Sequence, residues 1–303
     1  MKRRDFLSLT ALAAGTLALN PLTESATPPD FVEPVWVPLT KEVKATRVGF
    51  GTGMRGGQRR SDLVRAGYSK ATELLRFAYD QGIRLFDCAD MYGTHDVVSE
   101  ALKGKPRDSY VLVSKLWLRP GGALPEVERL DPQETVKRLL RELKTDYIDV
   151  LQIHNMADNQ WTREYAEAME SMEKLKKAGL IRAHGISAHA NSALELAAET
   201  KWCDVVHIRI NSEGFNMEES ITEPAKRVEA GVRMTKRLHE AGKGVIAMKV
   251  VGAGNMANDP EMRRRSAKFI SQLDSVNVMI VGFGEKEHIT EFLANVAAAK
   301  STG

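Results

Sequence analysis

Four polar side chains stand out because together they could move a proton. Asp87 and Tyr92 lie in FDCADMYG, Lys115 in YVLVSKL and His154 in YIDVLQIH, each at or just beyond the end of an apolar run of strand length. A phenol titrates near pH 10, which makes tyrosine a poor acid or base near neutrality. A neighbouring ammonium favours the phenolate, so Lys115 is expected to lower the Tyr92 pKa. Asp87 would offset the cost of burying that lysine, and His154 would orient a carbonyl oxygen or share the proton. Taken singly, each has an ordinary reading: Asp87–Lys115 as a structural ion pair, His154 as a strand cap, Tyr92 as packing. All four at the ends of successive strands favour acid–base work at one site.

Such a set needs a scaffold that brings strand ends together. Strand-length apolar runs fall at 45–50, 84–89, 110–116, 147–153, 181–187, 205–211, 244–250 and 276–282. Segments of helical period lie between them, at 69–81, 97–103, 132–144, 162–178, 191–199, 224–241, 260–274 and 285–298. Eight strands alternating with eight helices predict parallel βαβ units. The strands are apolar almost throughout, as expected when both faces are covered. The expected fold is therefore an α/β (β/α)8 TIM barrel over residues 45–303, with its site at the C-terminal strand ends. Asp131-Pro132 reads as a helix start, and Gly179 and Gly242 as helix stops.

A rival signal is Gly51-Thr52-Gly53-Met54-Arg55-Gly56, which fits GxGxxG after a strand. A dinucleotide fingerprint needs a helix at once and an acidic residue about twenty positions on. Here Gly57-Gln58-Arg59-Arg60-Ser61 is loop-like, and no carboxylate ends a second strand at that distance. The stretch reads better as a glycine loop at the mouth of the first strand.

The chain of 303 residues is 43% hydrophobic and 27% charged with a net charge of +3, which provides no basic stripe for nucleic acid. Cys88 and Cys203 belong to no CxxC and read as two buried thiols, so no zinc or iron–sulfur site is expected. His95, His184, His189 and His239 lack metal-ligand spacing and are read as loop or surface residues. Trp117 and Trp161 would either line a pocket or pack loops, and Arg263-Arg264-Arg265 reads as a solvated helix face. Residues 1–26 differ from the rest: Lys2-Arg3-Arg4-Asp5-Phe6-Leu7 precedes a mildly apolar stretch from Ser8 to Leu19, too short for a comfortable membrane span. The layout is that of a signal peptide, and the paired arginines resemble a twin-arginine export signal. That resemblance implies the twin-arginine machinery as a partner and a periplasmic destination. Small residues around Thr23-Glu24-Ser25 suggest a cleavage region. Residues 27–44, with Pro28, Pro29, Pro34 and Pro38, are expected to form a stiff linker.

From the linker onward the chain resembles the aldo-keto reductase family. FDCADMYG is similar to its FDTAxxYG motif, with Cys88 where threonine is usual; VLVSKL resembles its lysine strand and DVLQIH its histidine strand. The resemblance implies NAD(P)H-dependent reduction of an aldehyde or ketone by direct hydride transfer, without metal. Tyr92 maps to the proton donor, and Asp87, Lys115 and His154 to its supporting residues. It places Gly51, Thr52 and Gly53 near the nicotinamide. Ser187 would hold the carboxamide, with Ala188 replacing the usual asparagine beside it, and His207, among the cofactor contacts, stands where glutamine is usual. Ile210 stands where a stacking tyrosine is usual, and Asn211 is retained. Lys249, Gly252 and Gly254 would approach the pyrophosphate, and Gly282, Gly284, Lys286 and His288 the adenosine end, with Lys286 favouring NADP(H) over NAD(H). Ala188 and Ile210 keep a second reading open, a nicotinamide-binding barrel that senses or docks with little turnover. The fold alone also admits a lyase or isomerase that uses no nicotinamide.

Overall fold

A computed structural model describes residues 33–119, 124, 131–218 and 220–300. The expected leader, 1–26, lies outside the described residues. The first described element is an antiparallel hairpin of β1 (Trp36–Pro38) and β2 (Lys44–Thr46). Eight parallel strands follow: β3 (Val48–Gly51), β4 (Leu85–Asp87), β5 (Val111–Leu116), β6 (Ile148–Met156), β7 (Ile181–Ala188), β8 (Val205–Arg209), β9 (Gly244–Met248) and β10 (Val278–Val281). They pair in chain order and close through β10 and β3, making a (β/α)8 barrel. The helices are α1 (Asp62–Arg65), α2 (Tyr68–Asp80), α3 (His95–Ala101), α4 (Pro132–Leu143), α5 (Trp161–Glu164), α6 (Ala166–Lys177), α7 (Asn191–Glu199), α8 (Pro224–Glu240), α9 (Pro260–Ser271) and α10 (Lys286–Lys300).

The local reasons for these elements are visible in the caps. Asp131 accepts a hydrogen bond from Gln133 N at 2.7 Å with Pro132 in the first turn of α4, and Asp259 does the same for Met262 N at 3.0 Å ahead of α9. Gly179 and Gly242, both with φ of 75°, turn the chain beyond α6 and α8. Gly185 has a different role. A Cβ there would sit 1.8 Å from the Val205 carbonyl oxygen, so only glycine lets β7 and β8 pair at this point.

Two apolar layers hold the barrel. Leu85, Val111, Val113, Val150, Ala183, Val205, Ile246 and Ile280 fill its interior. The opposite faces of the strands pack against helices through residues such as Phe86, Leu112, Leu151, Ile186, Val206 and Met279.

Part of the stretch expected as a stiff linker is folded instead. Thr40 Oγ1 accepts from Val43 N at 3.0 Å and closes the β1–β2 turn. Leu39, Val43 and Ala45 are buried in the interior cluster, so the hairpin plugs the barrel at the end where its strands begin. The barrel ladder accordingly starts at Val48 rather than at residue 45.

Candidate active site

The four expected residues converge at the C-terminal end of the barrel. Asp87 ends β4 and is buried, as is Lys115 near the end of β5. The Lys115 ammonium pairs with Asp87 Oδ1 and donates to the Cys88 carbonyl at 2.9 Å. Burial alone would raise the Asp87 carboxyl, but Lys115 and His207 beside it hold it below its ordinary value. The Asp87 carbonyl accepts from both Thr52 N (3.0 Å) and Thr52 Oγ1 (2.8 Å), which ties the β3 loop to the β4 end.

Tyr92 closes a short 3-10 turn, Asp90–Tyr92, after β4. The turn is clamped from outside: Arg59 and Arg138 reach the buried Asp90 at 3.0 and 2.9 Å, and Arg59 N donates to the Met91 carbonyl at 2.9 Å. Its hydroxyl then lies 3.4 Å from His154 Nε2, and the Lys115 ammonium sits 5.3 Å from the ring centroid. Trp117 meets the His154 ring edge-on at 5.4 Å. On the other side, Gly53 leaves room for the phenol, since a Cβ there would come within 2.2 Å of the ring.

The electrostatics correct one expectation. The Tyr92 pKa is not lowered overall: burial pushes the phenol well above its ordinary value, with Asp87 and Cys88 adding to the rise. In the resting site desolvation is the largest effect, and the Asp87 carboxylate beside the ammonium adds to it. His154 is held well below its ordinary value by burial, with Lys115 and His189 adding to the effect. At neutral pH the site therefore presents a protonated phenol beside a neutral imidazole.

A cleft with about 640 Å³ of free volume opens onto this set. Asp87, Tyr92 and Lys115 line it, together with Gly51, Gly53, Lys249, Gly254 and Gly282 from the expected cofactor set. A second hollow of about 400 Å³ shares Gly51, Met54 and Gly282 with it and extends to Gly284. The other expected contacts sit elsewhere. Thr52 lines the second hollow though it is almost fully buried, whereas Ser187 and His207 are buried and line neither hollow. Asn211 is spent on the backbone, donating to Phe215 O at 2.8 Å and Lys249 O at 3.1 Å. Gly252, with φ of 60°, packs a Cβ's width from Phe215. Lys286 and His288 begin α10, and the Lys286 ammonium lies over the Phe77 ring at 5.6 Å. Ile210 is fully buried against Gly231, so it belongs to the core rather than to the cleft face.

Residues 47–269 match the sequence profile of the Aldo/keto reductase family. The chain belongs to that family. It is 32% identical over 196 residues to the aldo-keto reductase YhdN of Bacillus subtilis, a match that takes in 61% of this chain and 56% of the relative. The chain spans about half the length of the curated relatives it matches. Among solved structures, aldo-keto reductase AKR11C1 from Bacillus halodurans, in its holo form, superposes with a TM-score of 0.66 at 20% identity, covering 88% of this chain and 91% of that one. An aldo/keto reductase from Klebsiella pneumoniae, crystallised with NADP and acetate, gives 0.60 at 23% identity, covering 88% and 90%. At these identities the structural likeness shows the fold.

Within this aldo-keto reductase several contributors escaped the sequence reading. Met54, Met248 and Ala253 line the cleft, and Lys70 lines the second hollow, where it pairs with Glu285 at 2.5 Å. Nothing in their spacing marks them; only the register of the strand ends does. His95 and His184 were expected in loops or at the surface, yet both are buried. His95 lies between Glu142 and Ser114, each at 2.9 Å, and His184 stacks on Trp202 with centroids 4.3 Å apart. Trp161 packs in the core, whereas Trp117 stands at the site. Among the described residues, no cluster of histidine, cysteine, aspartate or glutamate is placed to hold a metal ion, and no helix is long and apolar enough to cross a membrane.

Proposed function

We propose that this protein reduces an aldehyde or ketone with NAD(P)H, with Tyr92 as the general acid. The observation that carries the reading is the Tyr92 hydroxyl, held protonated by burial and 3.4 Å from His154 Nε2, on the wall of an open cleft at the C-terminal end of the barrel. The cleft suits a dinucleotide: Gly51, Gly53, Gly254 and Gly282 leave stretches of backbone open for close approach, and Lys249 supplies a cation there. The second hollow beyond Gly282 would take the adenosine end, with Lys70 and Lys286 nearby. When bound, the nicotinamide supplies the hydride.

The rest is the work of the chain. A carbonyl oxygen seated between Tyr92 and His154 accepts hydrogen bonds from both, which polarises the carbon–oxygen bond. As charge develops on that oxygen, the Tyr92 proton passes to it. The resulting phenolate is stabilised by Lys115, whose ammonium is held within reach by Asp87. Burial, which keeps Tyr92 protonated at rest, also keeps water from competing for the oxygen. Tyr92→Phe is expected to lower kcat for carbonyl reduction by about 10²–10⁴ while NADPH binding persists. Turnover near wild type would remove the phenol from the mechanism. Tight NADPH binding with negligible turnover across many carbonyls would instead favour the sensing or docking reading.

A further inference from the structure

Among the described residues, His207 is a titratable side chain that touches the proposed proton-transfer set without having been placed in it. It lies on β8, 0% exposed, and its Nε2 is 3.2 Å from Asp87 Oδ1, the oxygen that also receives the Lys115 ammonium. Neither ring nitrogen completes a hydrogen bond in this structure, so Nε2 approaches Asp87 Oδ1 at hydrogen-bond distance without the alignment of a formed bond. The charged and titratable groups facing it are Asp87 from β4, Lys115 from β5 and His154 from β6. Its register neighbours, Ser187 on β7 and Ile246 on β9, bring no charge.

We infer that His207 is a positioning residue of the proton-transfer set, acting through Asp87 and Lys115, and not a contact for the nicotinamide. The inference rests on the carbonyl-reductase reading above. A residue with no exposed surface offers no atom to a ligand in the cleft, which Asp87 and Lys115 line and His207 does not. Burial keeps the imidazole neutral in spite of Asp87. A neutral ring can donate its Nε2–H to the carboxylate without setting a second positive charge beside Lys115. With His207 in place, Asp87 Oδ1 faces both the Lys115 ammonium and, at 3.2 Å, a ring nitrogen able to turn its N–H toward it, and the carboxyl is held below its ordinary value. An apolar residue here would leave Lys115 as the carboxylate's only donor at that oxygen. The ammonium would then stabilise the developing Tyr92 phenolate less well.

The test compares His207→Leu with His207→Gln, whose amide can still donate. His207→Leu is expected to lower kcat at saturating NADPH roughly tenfold or more, as loss of a hydrogen bond to a charged group implies. It should also displace the kcat–pH profile, leave the NADPH Kd within about twofold, and be largely rescued by glutamine. A tenfold weaker NADPH Kd with unchanged kcat would overturn the inference and make His207 a cofactor contact. Equal losses in both variants with an unmoved pH profile would also overturn it, leaving a merely structural role. A readout independent of turnover is the His207 imidazole ¹⁵N resonance in wild type and Asp87→Asn, which should move. If Asp87→Asn does not fold, the Asp87 ¹³Cγ resonance in His207→Gln serves the same purpose. Absence of any carbonyl turnover by the wild type would sink the functional reading itself. An unmoved resonance sinks only this inference.

Discussion

Tyr92 and Lys115 show how far residue types alone carry an argument. Their identities and strand-end positions point to proton transfer, but the direction of the Tyr92 shift depends on burial and on the nearby Asp87 carboxylate, and spacing does not reveal how far burial outweighs the lysine. The same holds one layer out. Ser114, next to Lys115, is bonded to His95, which is bonded to Glu142, which pairs with Arg138 at 2.8 Å. Burial raises the Glu142 carboxyl, yet His95 and Arg138 more than offset this and hold it at about 2. A carboxyl lowered from its ordinary 4.5 stabilises the fold above that pH and loses the contribution as pH falls toward 2. Glu142→Gln should therefore cost about 1–3 kcal/mol near pH 6, the scale of a lost hydrogen-bonded charge. The gap from wild type should close as pH nears 2. A gap in thermal midpoint that is constant with pH would mean Glu142 acts by packing alone.

At the scale of elements, the eight barrel strands were legible because parallel strands are apolar on both faces, and the helices because their caps are local. Asp131-Pro132 and Gly242 needed no tertiary information. The β1–β2 hairpin was not legible: its strands have three residues each, and the prolines around it signal an extended chain. Only the closed barrel creates the hole that Leu39, Val43 and Ala45 fill. Ile210 taught the converse. Its place in the motif suggested a cleft residue, but just past the end of β8 it is fully buried in the core cluster. The hairpin's role has a direct test. Leu39→Ala removes a buried side chain from the interior cluster and should destabilise the protein by about 2–5 kcal/mol in denaturant titration, with the Tyr92 site intact. A change below about 0.5 kcal/mol would show that the plug is not part of the core.

The whole molecule must reconcile the proposed nucleotide cleft with the leader expected at residues 1–26. At the adenosine end, Lys70 is engaged by Glu285, whereas Lys286 lies over Phe77 at the start of α10, where the helix dipole favours an anion. NADPH should accordingly bind more tightly than NADH. Lys286→Ala should narrow the ratio of the two Kd values by about threefold to tenfold, as loss of one charged hydrogen bond implies. Equal Kd values in the wild type would remove Lys286 from cofactor choice. We further propose that Arg3-Arg4 sends the barrel out already folded, since a twin-arginine route carries folded cargo. The barrel needs no oxidising compartment to complete it, because Cys88 and Cys203 are both buried as free thiols. Cofactor bound before export would add stability of RT ln(1 + [L]/Kd) and so favour the folded cargo. Replacing both arginines by lysine should then trap a folded, NADPH-binding protein in the cytoplasm, with the wild type recovered from the periplasmic fraction. Equal periplasmic recovery of both would refute the twin-arginine route while leaving the reductase reading untouched.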